Sequence, residues 1–287
     1  MKLYYYTFTG HKIGLDRVKK AVVILKKLEE QGIETVLLVN DFRAGLVARE
    51  YGVDGAVTIE GIQDIDAIAE TGDSVIIDSP EDDHGRLVKY VSDFKQVFRF
   101  ATSDEDKSVH GEVMLELDCS LENCLSSVIV GDVYFEEHKK EDRTLFFLGD
   151  SDADKTILSN SSFFEELNMD LLLGNYFYVK YEDDLAKIFS TLHEPEEYVD
   201  LICSSSRIVT ASFQTAIEAK VAGAEVIYIE LNKLSQKEKK LLSSKLINII
   251  SNFDANIYKQ NIISIPSAPC NNIEKSDKVV KKILKLL

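Results

Sequence analysis

Thr35-Val36-Leu37-Leu38-Val39-Asn40 is an unbroken apolar run that ends on a polar side chain. A strand with one wet face alternates apolar and polar residues, whereas a continuous run is what a strand buried on both faces of a parallel sheet requires. Its surroundings agree. Upstream, Gly14 to about Gln31 carries Val18, Ala21, Val22, Leu25 and Leu28 at helical spacing, with Gly32 to end the helix. Lys2–Phe8 before it is an aromatic-rich opening strand. Downstream come a helix over Arg43–Tyr51 stopped by Gly52, a strand at Ala56–Ile59 and a helix at Ile62–Glu70. A second buried strand follows at Ser74–Asp78 (SVIID), then a helix near His84–Asp93 and a strand at Gln96–Phe100. This β-α-β-α rhythm predicts a parallel sheet with right-handed crossovers.

The rhythm pauses over Asp104–Glu141, which holds short strand patterns (Val113–Leu117, Ser127–Val130) and then a charged stretch, Glu136–Arg143, suited to a domain linker. It restarts with a strand at Thr144–Leu148 (TLFFL) and a helix over Asp154–Glu166, broken near Asn160. Asp170–Leu173 and Asn175–Val179 read as strands, Glu182–Phe189 as a helix, and Glu196–Ser205 as a helix begun at Pro195. A strand at Arg207–Thr210, a helix at Gln214–Ala222 ended by Gly223 and a strand at Glu225–Glu230 (EVIYIE) follow. Ser235–Phe253 reads as one lysine-studded amphipathic helix, and Ser276–Leu287 has apolar residues at helical spacing. The expected architecture is α/β: two Rossmann-like domains, 1–140 and 141–287, with parallel sheets facing a cleft and a closing C-terminal helix in the second. Any ligand is expected between the halves.

The 287 residues carry a net charge of −16, which repels phosphate backbones and makes nucleic acid an improbable partner. A small phosphorylated ligand stays open, because one local pocket can oppose the global field. The first ten residues do not have the form of a signal peptide, and no run of about 18 apolar residues exists to span a membrane. The four cysteines, Cys119, Cys124, Cys203 and Cys270, do not form a disulfide framework. Buried thiols in a reducing, cytoplasmic compartment are expected. Cys119 and Cys124 lack a second ligand pair at zinc spacing, so neither a metal site nor a cofactor is expected. The C-terminal segment fits a helix packing back across the domains, with a membrane-surface helix as the alternative.

In open α/β sheets ligands sit beyond the carboxyl ends of the strands. Four post-strand segments therefore hold the candidates. Thr7–Arg17 contains Gly10 and Gly14 for flexibility and His11, Lys12 and Arg17 for charge. Free backbone N–H groups there can hold phosphate, although the pattern is not GxGxxG and Asp16 opposes an anion while suiting a helix first turn. An ordinary β–α turn fits as well. Asp78–His84 places a carboxylate at a strand end near a histidine, a pairing that serves acid–base chemistry or caps a helix. Gly149–Lys155 offers acidic oxygens for a divalent ion, or caps with solvated charges. Thr210–Glu218 leads small and hydroxyl residues into a helix. Ser212, Gln214 and Thr215 suit a diphosphate and Glu218 a ribose or sugar diol, while Thr215–Glu218 also has capping-box spacing.

At this last segment the order strand, small-residue loop, T-x-x-E, helix ending Ala222-Gly223-Ala224, strand resembles the C-terminal half of nucleotide-sugar enzymes of the GT-B architecture. Among them it resembles most the UDP-sugar hydrolases of pseudaminic acid biosynthesis, with the UDP-N-acetylglucosamine transferases of peptidoglycan synthesis as relatives. Ile13-Gly14-Leu15-Asp16-Arg17-Val18 lies where the hydrolase family has I-G-x-G-H-V. Ile77-Asp78, Gly131–Phe135 and Gly149-Asp150-Ser151-Asp152 (for G-G-S-D) follow in order, so the resemblance runs from Met1 to about Lys233. It implies a UDP-sugar ligand, with Ser212, Gln214 and Thr215 at the diphosphate, Glu218 at the ribose, and a role in surface or flagellar glycan metabolism. Asp16 takes the place of the family's second loop glycine, Arg17 that of its catalytic histidine and Phe213 that of a glycine before T-x-x-E. Arginine has no lone pair to act as base, so Arg17 becomes a phosphate clamp beside Gly14 and the activity is expected to be divergent or lost. The alternatives are an active glycosyltransferase or sugar hydrolase with a carboxylate base, Asp16 or Asp78, and a non-catalytic scaffold that kept the fold.

Overall fold

The computed structural model describes residues 2–118, 125–165, 167–262 and 273–287. Its contacts divide the chain into two compact units: Met1–Gly10, Arg17–Gly131 and Glu274–Leu287 in the first, and His11–Asp16 and Asp132–Ile273 in the second.

In the first unit β1 (Leu3–Thr7), β2 (Thr35–Val39), β3 (Val57–Thr58), β4 (Ser74–Asp78), β5 (Gln96–Phe100), β6 (Val113–Glu116) and β7 (Leu125–Ser126) form a seven-stranded sheet in the order β3-β2-β1-β4-β5-β6-β7. Every pairing is parallel. The apolar runs are central strands: β1 and β4 are buried along their whole length, as continuous hydrophobicity requires. Tyr4 and Tyr6 of β1 pack with Ile65, Leu87, Tyr90 and Phe94 into the core on one face. The helix Asp16–Glu29 buries Val18, Ala21, Val22, Leu25 and Leu28, the residues at helical spacing in the sequence.

The second unit repeats the plan. β8 (Glu141–Phe147), β9 (Asp170–Leu172), β10 (Leu192–His193), β11 (Ser205–Thr210), β12 (Glu225–Ile229) and β13 (Asn248–Ile250) form a six-stranded, wholly parallel sheet in the order β10-β9-β8-β11-β12-β13. Its core is rich in phenylalanine: Phe163 meets Phe164 edge-on at 5.0 Å between ring centroids, and Phe164 lies 4.7 Å from Phe189.

Several local expectations change. Asn175–Val179 is no strand: Phe177 N–H bonds Gly174 C=O and Tyr176 N–H bonds Asp150 C=O, so the segment turns into a helix at Val179–Leu185. The expected helix over Ser235–Phe253 stops at Ser244. Leu246 enters the left-handed region (φ 58°), Leu246 N–H bonds Ser243 C=O and Ile247 N–H bonds Leu242 C=O, closing a Schellman turn. The β-branched stretch after it becomes β13. Ser127–Val130 follows the short β7 rather than forming a strand. β10 and the helix Ala255–Ile262 have no counterpart in the sequence reading. The helix Asp277–Leu286, expected to close the second domain, groups with the first unit. Ser276 Oγ donates to Val130 C=O (2.8 Å) and accepts from Val130 N–H (3.0 Å), Lys27 Nζ pairs with Asp277 (2.7 Å), and Val279, Val280 and Ile283 are buried.

No helix among the described residues is long and apolar enough to cross a membrane. Cys203 is buried, and Cys119, Cys124 and Cys270 lie outside the described residues.

Candidate functional site

A parallel sheet whose order reverses has a crevice at the reversal, because the two flanking connections leave in opposite directions. In the second unit the reversal falls between β8, which connects on to β9, and β11, which connects on to β12. A cavity of about 460 Å³ opens there, lined by Gly149–Asp154 and Thr156 after β8, Ala211 and Ser212 after β11, Tyr228, Leu231 and Asn232 at the end of β12, and Lys12, Ile13, Gly14 and Asp16. The segment His11–Asp16 thus completes the wall. It is pinned twice: Ser151 Oγ donates to His11 C=O, and Ser212 Oγ lies 2.9 Å from both carboxylate oxygens of Asp16. Gly14 has φ +82°, a left-handed conformation that a side chain resists, so the loop depends on this glycine.

The lining holds four aspartates and one lysine, but three of the carboxylates are engaged. Asp152 caps the turn Thr156–Ser159, accepting from Thr156 N–H (2.6 Å), Ile157 N–H (3.0 Å) and the Tyr181 hydroxyl. Asp150 accepts from Asn175 Nδ2 (2.8 Å), and Asp16 holds Ser212. Neighbouring Gly174 packs so tightly on this loop that a Cβ there would sit 2.6 Å from Asp150 C and O and from Gly149 O. Tyr228 is buried, and that burial, followed by the charges of Glu238 and Asp16, raises its phenol well above the ordinary range. Among the described residues no cluster of His, Cys, Asp and Glu is arranged to hold a metal. Beyond the engaged carboxylates the cavity offers hydroxyls, an amide, the Lys12 ammonium and the exposed Asp154 carboxylate, which suits a polar, hydroxylated ligand.

Behind the wall a hydrogen-bond network runs into the helix Phe213–Val221. Ser212 caps that helix, its Oγ accepting from Thr215 N–H at 3.0 Å and lying 2.8 Å from Thr215 Oγ1. Thr215 Oγ1 meets Tyr198 OH at 2.7 Å, Tyr198 OH donates to Glu218 Oε2 at 2.7 Å, and Gln214 Nε2 donates to Glu218 Oε1 at 2.7 Å. Glu218 is 2% exposed and Thr215 wholly buried. Burial, then the Glu218 charge, drives the Tyr198 phenol far up.

The first unit has its own reversal, between β1 and β4. There Asp78 closes the end of β4. Its Oδ1 pairs with Arg17 Nε (3.2 Å), its Oδ2 pairs with Lys20 Nζ (2.7 Å) and accepts from Tyr5 OH (3.3 Å), and Lys20 Nζ lies 4.2 Å from the centroid of Phe100. Burial, then the Asp78 charge, raises the Tyr5 phenol far above its ordinary value.

No protein-family model matches the sequence, and no curated protein matches it. Solved structures do match. The UDP-GlcNAc 2-epimerase of Methanocaldococcus jannaschii, in complex with UDP-GlcNAc and UDP, superposes with a TM-score of 0.60 at 12% identity, over 100% of this chain and 99% of that one. A spinosyn forosaminyltransferase gives 0.59 at 13% identity over 100% and 95%, and the MurG protein of Acinetobacter baumannii 0.58 at 11% identity over 99% and 100%. The fold is of the GT-B type.

Within this GT-B chain the expected site residues separate into three groups. Gly14, Asp16 and Ser212 line the cavity. Gln214, Thr215 and Glu218 lie in the buried network behind it. Arg17 and Asp78 are joined in an ion pair in the first unit. The capping role foreseen for Thr215 belongs to Ser212. Tyr198, Tyr228 and Gly174 were missed. Tyr228 was legible in principle as the inward-facing residue near the end of the EVIYIE strand. Tyr198 and Gly174 act through non-local partners that no sequence spacing reveals.

Proposed function

We propose that this chain binds a nucleotide-sugar in the cavity at the carboxyl edge of the six-stranded sheet. The observation that carries this reading is the cavity itself, a polar pocket at the β8/β11 reversal with Ser212 at a helix N-terminus and the glycine-pinned Lys12–Asp16 segment in its wall. The GT-B fold supports it, since a structure of the same fold was solved with UDP-GlcNAc and UDP bound. Ser212 is the diphosphate donor on this reading. Gln214, Thr215 and Glu218 set its position through the network, and Glu218 meets the ribose only if Tyr198 yields. Arg17 serves as a clamp only by releasing Asp78. A cytoplasmic setting fits such a ligand and four cysteines.

The resemblance to the pseudaminic-pathway hydrolases goes further, to UDP-sugar cleavage in surface glycan metabolism. We hold that activity divergent or lost: Arg17 stands where that family places a base, and its Nε is committed to Asp78. A second reading, an active transferase or hydrolase, is favoured by one observation, the Asp16 carboxylate facing the cavity. Titration calorimetry with UDP and UDP-N-acetylglucosamine tests the binding reading; heat of binding at millimolar ligand or below is expected, and none at millimolar ligand overturns it. UDP release from UDP-N-acetylglucosamine separates the two readings. Turnover abolished by Asp16→Asn without unfolding supports a carboxylate base, and turnover retained in full by both Asp16→Asn and Asp78→Asn removes it.

A further inference from the structure

The hydroxyl chain behind the cavity wall takes its direction from the carboxylates at its two ends, Glu218 and Asp16. Each hydroxyl carries one proton. Tyr198 gives its own to Glu218 Oε2, which as a carboxylate only accepts. Thr215 Oγ1 must then be the donor in its 2.7 Å contact with Tyr198. Ser212 Oγ already accepts from Thr215 N–H, and its single proton has two acceptors within reach, Thr215 Oγ1 and the Asp16 carboxylate, of which the charged carboxylate is the stronger. The network therefore ends outward on a donor hydroxyl at the first turn of a nine-residue helix, and a carboxylate sits on that donor with both oxygens at 2.9 Å.

A helix N-terminus with a hydroxyl donor is where an anionic ligand group gains most, from the N–H groups and the dipole together. In this chain that place is held by the protein itself. We infer that Asp16 is a built-in stand-in for the ligand's phosphate and the residue that sets how much anionic charge the cavity accepts. The inference deepens the nucleotide-sugar reading and rests on it for the identity of the ligand. A diphosphate reaching Ser212 must displace the Asp16 carboxylate or sit beside it, and like charges at such range repel strongly in a half-buried site. Two further features make the stand-in a device of this loop rather than a passing surface contact. The segment is pinned at its other end by Ser151 on His11 C=O, and Gly14 supplies the left-handed turn that brings Asp16 to the wall.

The test is calorimetric titration of the wild-type chain, Asp16→Asn, Asp154→Asn and Asp16→Asn/Ser212→Ala with inorganic pyrophosphate and with UDP. Asp154 is an exposed carboxylate of the same wall, so it controls for net charge alone. Asp16→Asn is expected to bind pyrophosphate about tenfold tighter than the wild type or better, with a smaller gain from Asp154→Asn and the gain lost again when Ser212→Ala is added. Asp16→Ser, which also suits a helix start, serves as the second variant if the amide unsettles the loop. Affinity for pyrophosphate unchanged in both Asp16 variants overturns the inference. So does an equal gain from Asp154→Asn, or a gain that survives Ser212→Ala. A pyrophosphate gain with no UDP binding by any variant supports the role of Asp16 and refutes the nucleotide-sugar reading. UDP binding by the wild type with no gain in the Asp16 variants does the reverse.

Discussion

Replacing Tyr198 by phenylalanine removes one oxygen and nothing else. The ring stays packed edge-on against Phe147, at 5.4 Å between centroids, so the apolar contribution cancels. What disappears is the donor to Glu218 Oε2 and the acceptor for Thr215 Oγ1, both at 2.7 Å. Glu218 is 2% exposed, so water does not replace the missing donor there. A hydrogen bond to a buried charge contributes about 1.5–3 kcal/mol and a neutral one about 1 kcal/mol, so the expected loss is about 2–4 kcal/mol. In a chain of 287 residues that lowers the melting temperature by roughly 3–7 °C. Scanning calorimetry reads the shift, and the cycle with Glu218→Gln reads the coupling, expected at about 1 kcal/mol or more. A shift of only about 1 °C, or strict additivity of the two substitutions, refutes the hydroxyl chain as drawn.

Gly174→Ala drives a Cβ into backbone atoms of Gly149 and Asp150 at 2.6 Å; a stability loss of about 1–3 kcal/mol and weaker UDP binding in calorimetry are expected together. Arg99 ties Asp106 (2.6 Å) to Glu112 (3.2 Å) in the first unit. Burial alone would raise both carboxyls. The Arg99 and Thr102 hydrogen bonds for Asp106, and backbone N–H groups with Arg99 for Glu112, outweigh it and hold both below their ordinary values. Depressed carboxyls stabilise fully above their unfolded pKa of about 4 and lose that contribution as pH falls through the folded values, so urea midpoints should drop on acidification below about pH 4. Arg99→Met should cost about 3–5 kcal/mol at neutral pH and flatten that acid drop. Burial pushes the Cys203 thiol up to about 11, so iodoacetamide at about pH 8 should leave it unlabelled in the native protein, as read by peptide mass, and label it in urea.

The parallel sheets were legible because strands buried on both faces leave an apolar trace: SVIID, TLFFL and EVIYIE are apolar runs, and each became an interior strand of its sheet. The rest depended on contacts between distant residues. Asn175–Val179 has strand-forming aromatics, yet Gly174 must approach the Asp150 backbone, and that approach turns the chain. The helix expected to run through Ser235–Phe253 ended at Leu246 without glycine or proline to signal it. Gly14, Asp16 and Ser212, candidates from the rule that ligands sit beyond the carboxyl ends of strands, line the cavity. Spacing could not separate Ser212, which faces the cavity, from Thr215 and Glu218, which turn inward on the same helix. Nor could it show that Asp78, a plausible base by sequence, is held by Arg17, Lys20 and Tyr5.

The most direct test is a crystal structure of this chain grown or soaked with UDP-N-acetylglucosamine. Nucleotide-sugar binding at this site predicts ligand density in the cavity between Gly149–Asp154 and Ser212, with a phosphate oxygen within hydrogen-bond distance of Ser212 Oγ and the Asp16 carboxylate moved from its 2.9 Å contact. An empty cavity at saturating ligand, or density seated elsewhere with the Asp16–Ser212 contact intact, contradicts it.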